Sequence, residues 1–376
     1  MKQLVTLATL AGMLTIVAAS AEAAPPAKSG APPAISMEWR RDVWQAPELR
    51  TTDVDGNNAS VVARDIVRGG RPRWSPDGLR LGGYLRSTTG AQWDRSIMSI
   101  WADGTDERLV LTSARFDQFN VSRGLKSAAA KGFGLPFDGE AWSPDGTALV
   151  FSGLARYEGP SLDDRDDRYQ YRIFSVGLDG TMVAVTDGDA EVDDFDPHWS
   201  WALDKIVFVR SQTSLCAACE GRPDRVGQPE LWAVNPDGFG LQQITTFGQT
   251  GPPSSGEGTA LAAPVWSHAA DLLAVVGNLG VGLYTGDLWI LELDHLSGMA
   301  IGSRVLRGEA GVAEWHPSWS PDDGRLVFRR QRAANKRTWN TQIVIVDLAT
   351  GAENVIVDQT KQVPMYPDWN PITAAP

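Results

Sequence analysis

Trp74-Ser75-Pro76-Asp77-Gly78, followed by the strand-like run Leu79 to Arg86, is the unit that this chain repeats. Pro76 presets φ at the second turn position, Asp77 tolerates the third, and Gly78 takes a positive φ without a Cβ clash. The stretch therefore predicts a type I turn closed by a left-handed residue. Such a turn joins two antiparallel strands through a bulge. The signature returns at Trp142-Ser143-Pro144-Asp145-Gly146. In looser form it recurs at Trp199-Ser200, Trp266-Ser267, Trp319-Ser320-Pro321-Asp322-Asp323-Gly324 and Trp369-Asn370-Pro371. In the third and fourth copies Trp201-Ala202-Leu203-Asp204 and His268-Ala269-Ala270-Asp271 replace the Pro-Asp-Gly turn, so another geometry is expected there.

Three alternating, β-branched runs follow each complete marker, with a second turn such as Asp103-Gly104, Asp179-Gly180 or Pro236-Asp237-Gly238 between the last two. With strands named A to D, the marker ends strand A. The spacing between markers is wider than a four-stranded unit of about 40 to 45 residues needs, so loops have been inserted. The last copy is cut short after Trp369. The N-terminal runs Ser36 to Arg41, Glu48 to Asp53 and Ser60 to Ile66 supply the missing B, C and D strands. These features predict an all-β chain, a six-bladed β-propeller of four-stranded antiparallel blades, closed by N- and C-terminal strands sharing one blade.

The Trp-Ser-Pro-Asp-Gly marker, a run like Ala148-Leu149-Val150-Phe151, and a strand ending in Asp-Gly and Leu-Thr or Ile-Thr resemble the TolB-like, WD40-like propeller repeat. The resemblance covers nearly all of residues 36–376. TolB itself carries an α/β domain ahead of its propeller and works in the periplasm with outer-membrane partners. The stretch ahead of the first blade here is too short for that domain, so a TolB-like propeller other than TolB is expected. Related propellers precede serine-peptidase domains, but no Gly-x-Ser-x-Gly elbow occurs in this sequence.

Met1-Lys2-Gln3, the apolar run Leu4 to Ala19 and Ala21-Glu22-Ala23 match the three regions of a secretory signal peptide, with cleavage expected after Ala23. The run is too short to span a membrane. Residues 24–35, rich in Pro, Ala, Gly and Ser, read as a flexible leader, and 36–376 as a single propeller in the periplasm or medium. The formal net charge of −12 excludes sequence-independent nucleic-acid binding, which needs a basic footprint. Cys216 and Cys219, the two cysteines, fit a small-loop disulfide, free thiols or half a metal site. An exported chain without a second pair favours the local disulfide.

In a blade with alternating strands, the A–B and C–D turns share one face of the disc, and the B–C and D–A loops share the other. The long insertions, Ser113 to Asp138, Ala155 to Gln170, Ser211 to Pro229, Phe247 to Ala263 and Gln331 to Thr341, all fall on the second face, where a binding site is expected. Asp138, Glu140, Asp194, Asp196, His198, Glu314, His316, Tyr366 and Asp368 stand where the A strands enter the central channel. Their carboxylates and imidazoles suit a cationic ligand or a divalent cation, with His198, His316 and Asp196 as the metal candidates. The bland alternative is that they are solvated or pair with Arg71 and Arg73 at the same level. The repeat tryptophans read as inter-blade packing, whereas Trp93, Trp315 and Trp339 fall outside the repeat register and suit ligand stacking. Asp187 to Asp193 is a poor calcium loop, because Val192 stands where glycine is needed. No catalytic set emerges. The expected role is non-catalytic binding of a protein, peptide or cell-envelope partner by a monomer without membrane insertion or cofactor. The alternative is a metal-dependent polysaccharide lyase or hydrolase, resembling the propeller-fold oligogalacturonate lyases, acting at the channel.

Overall fold

Each tryptophan marker ends the innermost strand of a four-stranded sheet, and six such sheets form a ring in the computed structural model. The structure describes residues 33–41, 46–67, 69–86, 95–129, 138–158, 167–188, 191–214, 224–225, 229–246, 261–269, 271–277, 286–294, 298–307, 312–335 and 338–372. The signal peptide, most of the leader, the cysteine pair, Trp93 and His295 lie outside them.

The chain opens with β1 (Ile35–Arg40), β2 (Glu48–Thr52) and β3 (Ser60–Ala63). Blade 1 is β4 (Arg73–Trp74), β5 (Arg80–Arg86), β6 (Ser96–Trp101) and β7 (Arg108–Leu111), and helix α1 (Ser113–Ser122) follows it. Blade 2 is β8 (Asp138–Trp142), β9 (Ala148–Tyr157), β10 (Arg168–Gly177) and β11 (Met182–Ala184). Blade 3 is β12 (Val192–Ser200), β13 (Lys205–Ser214), β15 (Glu230–Val234) and β16 (Gln242–Gln243), with the short β14 (Asp224–Arg225) paired to the far end of β13. Blade 4 is β17 (Leu261–Trp266), β18 (Leu272–Gly277), β19 (Asp287–Leu293) and β20 (Ala300–Arg307). Blade 5 is β21 (Val312–Trp319), β22 (Arg325–Asn335), β23 (Thr338–Asp347) and β24 (Glu353–Gln359). Blade 6 is completed by β25 (Val363–Trp369), which pairs antiparallel with β1. The innermost strands touch in the cyclic order β4, β8, β12, β17, β21, β25 and back to β4.

The turn chemistry is what the sequence demands. Ser75 Oγ donates to Asp77 (2.5 Å) and accepts from Arg80 N (2.9 Å), Gly78 N donates to Ser75 O (2.8 Å), and Gly78 sits at φ 66°. Blade 2 repeats this with Ser143, Asp145 and Gly146. In blade 5 the turn has the same length, Ser320 N donating to Arg325 O as Ser75 N does to Arg80 O, and Asp323 (φ 54°) takes the place of Gly78; its carboxylate reaches across to blade 4 and accepts from His268 N and Ala269 N, both at 2.8 Å. The third copy keeps a left-handed residue as Asp204 (φ 48°), although its Pro-Asp-Gly is gone.

Every blade seam holds one apolar cluster, and each cluster is built around one repeat tryptophan. Trp74 packs with Leu49 and Ile66 of blade 6, Trp142 with Ile97 and Leu111 of blade 1, and Trp199 with Ile173 of blade 2. Trp266 meets Leu231, Trp319 meets Ile290, and Trp369 meets Ile343. The alternation of strand side chains gives each blade one face for each neighbour, so the core is a ring of six seams.

Two features differ from the sequence reading. Ala155 to Gln170 and Gln331 to Thr341 were expected as loops, but β9 pairs with β10 out to Tyr157 and Arg168, and β22 with β23 out to Asn335 and Thr338. The β-branched and aromatic residues Thr338, Trp339 and Thr341 suit a ladder that projects beyond the disc. The insertion after blade 1 contains α1, capped by Thr112 Oγ1 accepting from Arg115 N at 3.1 Å. Phe116, fully buried, fixes the helix by meeting Phe174 edge-on at 4.8 Å.

Candidate functional site

Five of the six inner strands carry proline two residues before the tryptophan: Pro72, Pro197, Pro264, Pro317 and Pro367. Proline disfavours right-handed α for the residue ahead of it. Here Arg71, Asp196, Ala263, His316 and Tyr366 take left-handed φ values of 23°, 50°, 49°, 57° and 52°. The pairing register slips beside the last four, between Phe195 and His198, Ala262 and Val265, Trp315 and Ser318, and where β25 faces Ser36 and Glu38. A bulge at one height of each strand re-aims a side chain, and repeated around the axis it builds a ring. Gly139 stands at this position in blade 2.

These residues meet across blades. Arg71 donates to Asp196 Oδ1 at 2.8 Å, and the other oxygen of Asp196 accepts from Ala263 N at 3.0 Å. The Arg71 guanidinium lies 5.3 Å from the Tyr366 ring centroid, and the His316 ring lies 4.3 Å from that of Tyr366. Arg71 itself follows a backbone segment whose Gly69 and Gly70 N–H groups both donate to the buried Glu38 carboxylate at 2.8 Å. Towards the turn face, the residues before each tryptophan, Arg73, Ala141, His198, Val265, Ser318 and Asp368, line a cavity of about 40 Å³. That is room for a few waters and not for a sugar or a peptide.

The sequence candidates therefore divide. Asp196, His316 and Tyr366 converge at the mouth of the channel. Asp368 lies deeper, accepting from Arg73 (2.9 Å), Trp74 N (2.7 Å) and Ser318 Oγ (2.9 Å), which ties blades 5, 6 and 1 together. Asp194 is fully buried in a two-point pair with Arg210 (2.6 and 2.8 Å), and Glu314 pairs with Arg330 at 2.8 Å. Glu140 is buried. These carboxylates are buried where solvation was one expectation, and Arg71 and Arg73 take Asp196 and Asp368 as the pairing alternative foresaw. Trp315 is half-buried against the seam of blades 4 and 5. Asp138 opens β8 and Trp339 lies in β23, but their side chains are outside the described residues. Among the described residues no group of three or more His, Cys, Asp or Glu side chains is placed to share an ion. Asp187 instead accepts from Tyr157 and Gly188 N and pairs with Arg123.

Sequence reading named Arg71 as a pairing partner at this level but not its left-handed backbone, and missed Ser318 as a ligand of Asp368, and Arg329. The signal for the ring was the recurring proline before each tryptophan. The signal for Arg329 was a cation in the run Leu326-Val327-Phe328-Arg329, on the same strand face as the buried Val327.

Burial holds both channel histidines well below their ordinary pKa of 6.5. Nearby Arg73 and then His268 add to the effect at His198, and Arg71, Arg329 and Arg73 add to it at His316. His198 Nδ1 accepts from Trp266 N at 3.4 Å, which fits a neutral ring. Between the depressed values and 6.5 the unfolded chain binds more protons than the folded one. Stability is then complete above pH 6.5 and falls as pH drops through it, by up to about 1.4 kcal/mol per pH unit for each ring. Thermal unfolding between pH 7.5 and 5.5 should show a falling Tm whose slope shrinks in His198→Asn. A flat profile would mean that both rings are solvated.

TolB from Acinetobacter baumannii superposes with a TM-score of 0.57 at 15% identity over 90% of this chain, and this chain spans 66% of that one. The Agrobacterium tumefaciens structure assigned to TolB matches with a TM-score of 0.53 at 13% identity over 90% of this chain and 99% of its own. The fold is that of the TolB propellers. A Kuenenia stuttgartiensis hydrazine synthase chain, of which this one spans 47%, gives a TM-score of 0.59 at 13% identity, so the TolB-like fold is shared beyond TolB. No protein-family model and no curated protein sequence matches. Among the described residues of this TolB-like propeller, no helix is long and apolar enough to cross a membrane.

Proposed function

We propose that this TolB-like propeller is an exported, non-catalytic binding module that docks a protein, peptide or cell-envelope partner on its long-loop face. The observation that carries the reading is the division of labour between the two faces. On the turn face every connection is short, and Asp323, for example, clamps the neighbouring blade there. On the other face lie α1, the projecting ribbons of blades 2, 3 and 5, and the ring of re-aimed side chains. A rigid scaffold with elaborated loops on one side is the usual arrangement of a binding protein. The carboxylates that a metal-dependent lyase would draw on at the axis are engaged with arginines.

Photo-crosslinking from both faces tests this. Val121 on α1 and Phe239 in a blade 3 turn are exposed on opposite faces. A crosslinker at position 121 should give one dominant adduct in the exported fraction, and one at 239 none. Adducts from 239 alone would reverse the assignment. Recovery of the chain with residues 1–23 still attached in the cytoplasm would remove the exported part of the proposal.

A further inference from the structure

We propose that the channel mouth between blades 5, 6 and 1 holds an anion subsite in which Arg329 and His316, walled by Tyr366, take a carboxylate of the bound peptide partner. The inference rests on the docking reading above and adds the chemistry of what is docked.

Arg329 and Arg330 are adjacent on β22, so they point to opposite faces. Arg330 meets Glu314 and Glu353. Arg329 points into the seam with blade 6, is 8% exposed, and donates to one neutral acceptor, Gln331 Oε1, at 2.7 Å. Its Nε has no hydrogen-bond partner, and it forms no ion pair among the described residues. The other buried arginines are provided for: Arg80 has Asp106, Arg156 has Asp167, Arg330 has its two glutamates, and Arg172 has the carbonyls of Val192 and Gly188. A buried guanidinium without a counter-charge is costly, and such a cost persists where function needs it.

Among the described residues, three carboxylates of the channel mouth are engaged elsewhere. Glu38, which lies close to Arg329, is engaged by Arg40 and by the Gly69 and Gly70 amides, Asp196 by Arg71 and Ala263, and Asp368 by Arg73, Trp74 and Ser318. Beside this cation stands a second unsatisfied group. His316 is 9% exposed, its Nδ1 has no partner, and its left-handed backbone aims the ring at Tyr366. A neutral imidazole with hydrogen on Nδ1 is a donor. One uncompensated guanidinium fork and one neutral donor match a monoanion. A phosphate would need a second free cation, whereas Arg71 and Arg40 are already neutralised.

Calorimetric titration of the full chain tests the assignment, with triglutamate, triglutamine, digalacturonate and inorganic phosphate as probes. Triglutamate should bind saturably and triglutamine should not. Arg329→Met should weaken triglutamate about tenfold or more, Arg329→Lys should recover part of the loss, and Arg329→Met should leave Tm unchanged or raised, as for a cation without an internal partner. Triglutamate binding that is absent, or unchanged in Arg329→Met, together with a lowered Tm in that variant, would make Arg329 structural. The inference would then fall while the crosslinking test of the loop face still stood. Tighter binding of phosphate than of triglutamate would overturn the carboxylate assignment. Binding of digalacturonate alone would overturn the peptide assignment and the docking proposal with it.

Discussion

A chain ending at Gln359 should lose its cooperative unfolding transition, because β25 is the inner strand of a blade whose other three strands come from the opposite end of the sequence. Its removal strips Trp369 from the seam of blades 5 and 6 and takes away Asp368, leaving Arg73, whose side chain is 12% exposed, without its carboxylate. It also removes Asn370, whose N donates to Ala34 O and whose side-chain amide donates to Pro33 O and Gly78 O. Losing a buried tryptophan costs about 3–5 kcal/mol, and stranding a buried charge about as much again. Together they approach the total stability of an ordinary domain, about 5–15 kcal/mol. The remaining sheet would present β1 as an open edge, so oligomers are expected on size exclusion. A synthetic peptide of residues 360–376 should restore the monomer and the transition by adding the strand back. An unchanged urea midpoint in the truncated chain would show that the ring does not depend on its closing strand.

How much of this was legible in the sequence follows the range of the forces. Turns are local: Ser75, Pro76, Asp77 and Gly78 act on one another, and their recurrence gave blade number and closure without coordinates. Asp323, at the position of Gly78, shows that the left-handed position outlasts the glycine, and Asp204 takes the same conformation one residue later in its turn, since aspartate tolerates it at modest cost. Helix α1 was hidden because it buries only Phe116 and Asn120, too few residues to write an apolar stripe. The channel was half legible. Composition placed charge at the strand entrances, but partners such as Arg71 and Asp196, or Arg73 and Asp368, come from different blades and meet only after the ring closes. Arg329 was hidden for the opposite reason. Its meaning lies in having no such partner among the described residues, and a pattern of residues shows the cation without showing what surrounds it.

The seams offer a sharper test than truncation, because one of them records its own fit. Trp142 is 1% exposed, and its Nε1–H donates to Arg73 O at 2.9 Å, so the indole bridges blades 1 and 2 by packing and by a hydrogen bond. Gly82 on β5 lies directly under the ring, where an added Cβ would come within 2.6 Å of an indole carbon. Trp142→Ala should cost about 3–5 kcal/mol in urea unfolding, from lost burial and the cavity left behind. Gly82→Ala should cost about 1–3 kcal/mol in the wild-type background, from overpacking. In the Trp142→Ala background the same methyl would enter the vacated space, so the second substitution should be neutral or stabilising. The coupling energy of the cycle would then exceed about 1 kcal/mol. Additive costs would mean that the two blades do not meet at this ring and that the repeat tryptophan is not the wedge between them.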